Sequence, residues 1–427
     1  LKKFRQFIAA FYRRIFIRIS FVALICFISA GHVFALSDSI SQIDSIHVTV
    51  PRDTFTRGNT MDIIDLIRLI VSPKKANIQM PRRTTGIFYT IVAYPGYSIA
   101  TGVAGVAAVN ISYRSKKHPA DNLSFFNNNF QYTQNNQILV QSISNIYTND
   151  SKWQFPGDIR FFRFPTSTYG IGSSTLPANA DDIDYSHFRF YRTVLRQVVP
   201  FTFLGVGYNL DYRWNIVDDD AQNGSVTDFV KYGYKHTSSS SGLSFNFLYD
   251  SRDNANRPVT GTYVDIHFTS YLRALGSTSS WNSMVIDVRK YFPLSKKWYT
   301  ELAVWGYAWL TLSGKPPYLD MPSTGWDSYN NTGRGYAAGR YRGRDMLYFE
   351  TELRFDLLPS GLLGAVVFGS LQSFTEYGGT YFGPVQPGGG AGVRIKFNKL
   401  TSSNSCLDYG FGAHGSKGFA TNLNEVF

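Results

Sequence analysis

The chain has 427 residues, 42 of them Lys or Arg and 30 Asp or Glu, for a formal net charge of +12. Six of the basic residues and none of the acidic ones lie within residues 1–35; beyond them 36 basic residues face 30 acidic ones, and a net +6 on so long a chain makes no case for a nucleic-acid surface. With 28 Tyr, 34 Phe, 7 Trp and 37 Gly but only 17% charged residues, and a mean hydropathy of −0.16, the composition fits a chain in which only alternate residues meet lipid.

At the start, Lys2, Lys3, Arg5, Arg13, Arg14 and Arg18 precede an apolar run from Ile19 to Ile28, followed by Ser29-Ala30-Gly31 and a cut site at Ala35. This is the layout of a secretory signal peptide (residues 1–35), with a run shorter than the ~20 residues of a spanning helix. Ile25 occupies the position where a lipoprotein site at Cys26 needs a small residue. Cys406 is then the only cysteine after residue 35, which leaves no intrachain disulfide and no thiolate cluster. No metal-ligand motif or cofactor fingerprint occurs, so the expectation is no metal and no cofactor.

Residues 36–85 form a short segment expected in the periplasm. Within "NTMDIIDLIRLIVSPKK", Asn59 or Thr60 caps a helix and Pro73 stops it. Ile63, Leu66, Ile67 and Ile70 make a wide apolar face, and Asp62, Asp65 and Arg68 a narrow polar stripe. Three readings stay open: a helix packed beneath or inside the rest of the protein, a docking helix for a partner, or an interfacial membrane helix.

From Gly86 to Phe427 the chain alternates. Val206, Tyr208, Leu210, Tyr212 and Trp214 interleave with Gly205, Gly207, Asn209, Asp211 and Arg213. The same period runs through 243–250, 262–268 and 391–398. It is clearest in 345–357, where Leu347, Phe349, Thr351, Leu353, Phe355 and Leu357 oppose Met346, Tyr348, Glu350, Glu352, Arg354 and Asp356. About 16 such segments, each near ~10 residues, fit tilted barrel strands. Their connections sort by parity. Short turns ("RSKKHPA", "TNDS", Pro200, "PLSKK", "LLPSG", "NKLTSSNS") alternate with connections of which three are long, at 165–184, 215–240 and 313–344. The fold expected is therefore all-β, a transmembrane antiparallel β-barrel of about 16 strands, with long loops on one rim, short turns on the other and both termini periplasmic. Leu347 to Leu357 should face lipid, and Glu350, Glu352 and Arg354 the lumen. The long loop before them should fold inside. Phe427 suits the end of such a barrel, although Glu425, on the same face, departs from the apolar pattern.

Several stretches carry a family resemblance. Arg334-Gly335-Tyr336, in the long loop before "MLYFETELRF", resembles the Arg-Gly-Phe/Tyr motif of the BamA/TamA outer-membrane assembly and translocation family, also called the bacterial surface antigen family. "YDSRDNANRPVTGTYVDIHF" is similar to the family's segment at a periplasmic turn, through Asp250, Arg252, Asp253, Pro258 and Gly261. "LDYGFGAHGSKGFATNLNEVF" resembles the family's last two strands. The shape "RGYAAGRYRGRD" looks most like Bacteroidetes-type members. The resemblance implies that Arg334 pins the loop to the inner wall, with Glu350 and Glu352 as inward partners. The family's next strand often adds an acidic residue, where this chain has only Ser370 and Gln372. The resemblance also implies a seam between first and last strands, here Ile87 and Tyr89 against Phe419, Thr421, Leu423 and Phe427. The POTRA modules that normally precede the barrel do not fit into the about 50 residues between Ala35 and Gly86.

Three functions follow as expectations. The first, implied by the resemblance, is a non-enzymatic outer-membrane barrel that takes part in inserting or exporting outer-membrane or surface proteins. Its partners would be outer-membrane lipid, unfolded client proteins and subunits of a larger complex. A structural subunit without insertase activity is a variant of it. The second is a channel for small anions, with Arg340, Arg342, Arg344, Arg394 and Lys396 at its constriction. The third is an enzyme barrel using "DDIDYSH" (Asp181 to His187), against which stands the absence of a nucleophile elbow or a His-Glu-x-x-His motif.

Overall fold

A computed structural model describes residues 60–63, 65, 66, 69, 85–98, 102–115, 117, 122–222, 226–233, 235–295, 299–399 and 402–427. The expected signal peptide, and Ile67 and Ile70 of the expected docking helix, lie outside these residues. Alternating segments become strands because period-two side chains can satisfy two different environments at once. In chain order they are β1 (Gly86–Ser98), β2 (Gly102–Arg114), β3 (Ser124–Thr133), β4 (Ile138–Thr148), β5 (Trp153–Arg163) and β6 (Thr166–Thr168). Next come β7 (Asp181–Val199), β8 (Thr202–Asp218), β9 (Ser238–Asp250), β10 (Gly261–Tyr271), β11 (Trp281–Ser295) and β12 (Thr300–Gly314). Then follow β13 (Asp345–Asp356), β14 (Leu363–Phe374), β15 (Gln386–Asn398), β16 (Ser403–Gly412) and β17 (Lys417–Leu423).

Each strand pairs antiparallel with the next, except that β6, a three-residue piece, shares β7 with β5. Sixteen full strands thus form one meander whose ends, β1 and β17, come to lie side by side. Among the described residues no helix is long and apolar enough to cross a membrane.

Burial confirms which face is outer. Along β13 the exposed residues are Leu347, Phe349 and Leu353, while Glu350 and Glu352 are fully buried. A water-soluble sheet has the opposite arrangement, with charges on the exposed face. The apolar belt recurs around the wall, for example at Val206, Phe245, Val367 and Leu407. The inside is the polar core.

The connections at 164–180, 219–237 and 315–344 all leave one rim. Turns at 149–152, 200–201, 357–362 and 399–402 leave the other. The described part of the 60–69 segment is tied to that short-turn rim. Met61 N donates to Ser360 O (3.1 Å), Lys399 N to Asp62 Oδ2 (3.1 Å), and Lys399 Nζ meets Asp65 Oδ2 at 2.5 Å. Asp62 and Asp65 of the expected polar stripe make two of these ties, while Ile63 and Leu66 are half-buried.

Candidate functional site: the luminal loop lock and the seam

Loop 315–344 turns back into the barrel. Gly333 and Gly335 take φ of +74° and +98°, the left-handed region, and bring the backbone against β16. A Cβ on Gly335 would stand 2.7 Å from the backbone nitrogen of Phe411, so only glycine permits this approach. Tyr336 follows with its hydroxyl donating to Pro387 O (2.5 Å) and accepting from Ala413 N (2.7 Å).

Arg334 then reaches the wall. Its Nη2 pairs with Glu350 and Glu352 on β13, its Nη1 with Asp408 Oδ2 on β16 at 2.7 Å, and its guanidinium lies 3.6 Å from the centre of the Phe368 ring on β14. Both expected carboxylates are therefore brought to Arg334, since i and i+2 on one strand share a face. Asp408 was missed. It lies on the inward file of "SNSCLDYGFG", and a list of every inward carboxylate in the last four strands would have included it.

The lock extends further. Arg394 meets Asp408 Oδ1 at 2.5 Å and Glu425 Oε2 at 2.7 Å, and Arg354 meets Glu352 Oε2 at 2.6 Å. Arg394 was one of the cations expected to line an anion path, and it is paired. Arg340 donates to Thr175 O (2.7 Å) in loop 164–180 and Arg342 to Tyr318 O (3.0 Å) within its own loop, while Arg342 O accepts from Gly172 N (2.7 Å). Arg344 reaches Thr311 O, at 3.5 Å, and Lys396 is buried. Of these cations, Arg340 and Arg342 hold the loop, and Arg394 is paired with carboxylates of the wall and of the chain's last residues.

The end of β17 differs from expectation. Phe427 was placed on the seam strand, but the strand ends at Leu423. Asn424 has φ +74°, and residues 425–427 turn into the lumen. The cause is charge: Glu425 is drawn to Arg394 and to Asn404 Nδ2 (2.6 Å). Phe427 packs 5.1 Å from the Trp305 ring, its carbonyl accepts from Arg354 (2.8 Å), and Asn331 of the loop donates to Val426 O (2.5 Å). Burial would push the Glu425 carboxyl up, but Arg394, Arg354 and Arg257 outweigh it and hold it at about 2.

The turn 251–260 closes the floor. Arg252 forks onto Asp250 (2.9 and 2.8 Å), Asp253 Oδ1 accepts from Val259 N and Thr260 N (2.9 and 3.1 Å), Pro258 is buried and Gly261 opens β10. Asn256 O accepts from Glu425 N at 3.1 Å. This motif is a turn-builder that also supports residues 424–427.

At the seam, Ile87 and Tyr89 of β1 and Phe419 and Thr421 of β17 are exposed. β1 ladders with β2 and β17 with β16, and no ladder joins β1 to β17 among the described residues. Inside, a cavity of about 600 Å³ remains beside the loop, lined by amides such as Asn127, Asn129, Gln141, Asn145 and Asn246.

His187 of "DDIDYSH" is buried with Nε2 2.7 Å from Asp211 Oδ1, and Asp184 lies 3.8 Å from Arg163 at the rim. The stretch opens β7 and packs into the wall. Among the described residues no cluster suited to a metal ion occurs.

With this geometry in hand, comparison with known proteins is informative. The model of the Omp85 superfamily domain matches residues 109–412. BamA from Haemophilus ducreyi lacking POTRA domains 1–3 superposes with a TM-score of 0.51 at 14% identity, over 80% of this chain and 70% of that one. CdiB from Acinetobacter baumannii gives 0.50 at 12% over 81% and 61%, and CdiB from Escherichia coli 0.51 at 10% over 81% and 63%. The chain thus spans less than two thirds of the length of the CdiB proteins. At these identities the likeness is one of fold. No curated protein sequence matches the chain.

Proposed function

The chain belongs to the Omp85 superfamily of outer-membrane barrels, and from that premise we propose that it takes part in inserting or exporting outer-membrane or surface proteins as one subunit of a larger complex. The observation that carries the proposal is the seam. β1 and β17, the first and last strands of the meander, lie side by side there, and a strand edge opened at that point offers N–H and C=O groups that template an incoming strand. The Arg334 lock supports it, because a charge-paired loop held in the lumen narrows the path left for free diffusion of solutes. In this reading residues 1–35 direct export, the short-turn rim and both termini lie in the periplasm, and the 60–69 segment serves as a docking or bracing helix beneath the barrel.

The test is depletion of the protein followed, within one or two generations, by quantitative proteomics of the outer membrane. Many unrelated barrels or surface lipoproteins falling together before growth slows is the expected result. A loss confined to this protein or to one partner set would leave a dedicated subunit or channel, and single-channel conductance would then decide between those two.

A further inference from the structure

The lumen has walls of two kinds. β3 and β4 contain no charged residue, and β2 carries only Arg114 at its end, whereas elsewhere the wall holds the Arg334 lock and the pairs Arg213–Asp320 and Arg289–Asp287. In place of charge, β2–β4 line the cavity of about 600 Å³ with carboxamides: Asn110, Asn127, Asn129, Gln131, Gln141 and Asn145. Register gathers them into one patch, since Asn110 lies opposite Asn127 and Asn129 opposite Gln141. Asn145 Nδ2 donates to the Tyr147 hydroxyl (3.0 Å), but the buried Asn129 Oδ1 and Asn145 Oδ1 have no hydrogen-bond partner. Orphaned acceptors destabilise a wall, so the patch is richer in amides than folding requires. The tip of the luminal loop lines the same cavity and is rigidly built. Asp327 accepts from Tyr329 N (3.2 Å), Asn331 N (2.9 Å) and Thr332 N (2.8 Å). Arg160 of β5 clamps both neighbours of Tyr329, donating to Ser328 O (2.5 Å) and Asn330 Oδ1 (2.9 Å). Between those clamps Tyr329 is 48% exposed, although it lies inside the barrel.

The chemistry of the lining selects the ligand. A carboxamide offers donors and an acceptor together, and so does its natural counterpart, a hydroxyl. An exposed aromatic face held in place suits a surface of weakly positive C–H groups, as one side of a sugar ring presents. An ion is a poor match, because the patch brings no charge and the neighbouring Asp158, Asp250 and Asp287 are paired with Arg160, Arg252 and Arg289. An extended peptide is a poor match too, since it binds by adding to a free strand edge, and β2, β3 and β4 are laddered on both sides. The volume lies within the ~300–1,000 Å³ of cavities that take small molecules. We propose that this cavity binds a neutral glycan, with the amides of β2–β4 bonding its hydroxyls and the Tyr329 ring stacking on a sugar face. The glycan is either a free oligosaccharide or one carried by a glycoprotein. The site goes beyond the reading of the barrel as an assembly subunit and does not depend on it.

The experiment titrates the purified full-length barrel calorimetrically with short malto-, cello-, manno- and xylo-oligosaccharides, with galacturonic acid oligomers as the anionic control and an unstructured peptide as the polymer control. Expected is saturable binding of at least one neutral series and none of either control. Tyr329→Ala and Asn129→Ala should each weaken that binding about tenfold or more, Tyr329→Phe should keep most of it, and Phe130→Ala, on the outward face of β3, should leave it unchanged. Heat-modifiable gel migration reports whether each variant is folded. Should Tyr329→Ala and Asn129→Ala not fold, the bound sugar must instead slow maleimide labelling of Gln131→Cys, whose position lines the cavity. A photo-crosslinking amino acid at Gln131 in native membranes separates the two sources. A carbohydrate adduct without protein identifies a free oligosaccharide, and a protein joined through its glycan identifies a glycoprotein. Binding of no neutral series, binding of the peptide or the anionic oligomers in preference, binding indifferent to folded Tyr329→Ala and Asn129→Ala, or unchanged labelling of Gln131→Cys overturns the site. None of these outcomes touches the assembly reading, which the depletion experiment decides.

Discussion

Arg334 is surrounded by Glu350, Glu352 and Asp408 with its guanidinium also on Phe368, and each partner is almost fully buried. Removing the cation from such a cluster leaves carboxylates facing one another in a dry lumen, a loss of about 3–5 kcal/mol. Arg334→Ala should still reach the membrane, since the wall ladders do not use Arg334. Its loop should be released, with protease cleavage between Gly333 and Arg344 rising in intact membranes; unchanged protection would mean that Tyr336, Arg340 and Arg342 hold the loop without it. Glu425 offers a pH test. Its folded value of about 2 lies below the ordinary ~4.3, so its contribution is fully present above the ordinary value and is lost as pH falls from there through about 2. Glu425→Gln should therefore unfold at a lower temperature than the parent at pH 7, and the gap should close as pH falls toward 2. A gap that does not change with pH would place the effect of Gln on packing instead of charge.

At the level of elements, the two walls of the seam differ in what finishes them. β1 is thirteen residues long and β17 only seven, because Asn424 reverses the backbone and Glu425 is held inside. The edge of β1 that lies beside β17 is consequently longer than its neighbour. If that edge is the working part, a thiol-cleavable bismaleimide joining Tyr89→Cys to Phe419→Cys should bring outer-membrane assembly down to the depleted level, and reduction should restore it. Full assembly with the seam tethered would separate the activity from seam opening. The strands were legible in the sequence because a barrel wall imposes period two on every segment, and Glu350 and Glu352 were found because they share a strand and a parity. Asp408 and Phe427 were not. Alternation states which way a side chain points and says nothing about its height along the lumen. The reversal at Asn424 is a single dihedral that leaves no trace in an apolar/polar pattern.

For the molecule as a whole, a wall made of nearest-neighbour hairpins surrounds an interior held together by distant pairs. Arg160 Nη1 donates to Asn330 Oδ1 across 170 positions, and Arg334 meets Asp408 across 74. The parity of the connections told which loops were long, but their meeting inside depends on closure of the wall, which no local window contains. Those two classes of contact also impose an order in time. Hairpins can zip one after another as the chain emerges, yet the loop carrying Arg334 is complete before Asp408 and Glu425 exist to receive it. Every copy must therefore pass through a stage with a nearly finished wall and an unlatched interior. Glu350 and Glu352 follow the loop directly on β13, but the third carboxylate comes only with β16, so the latch is complete only when the last strands are in place.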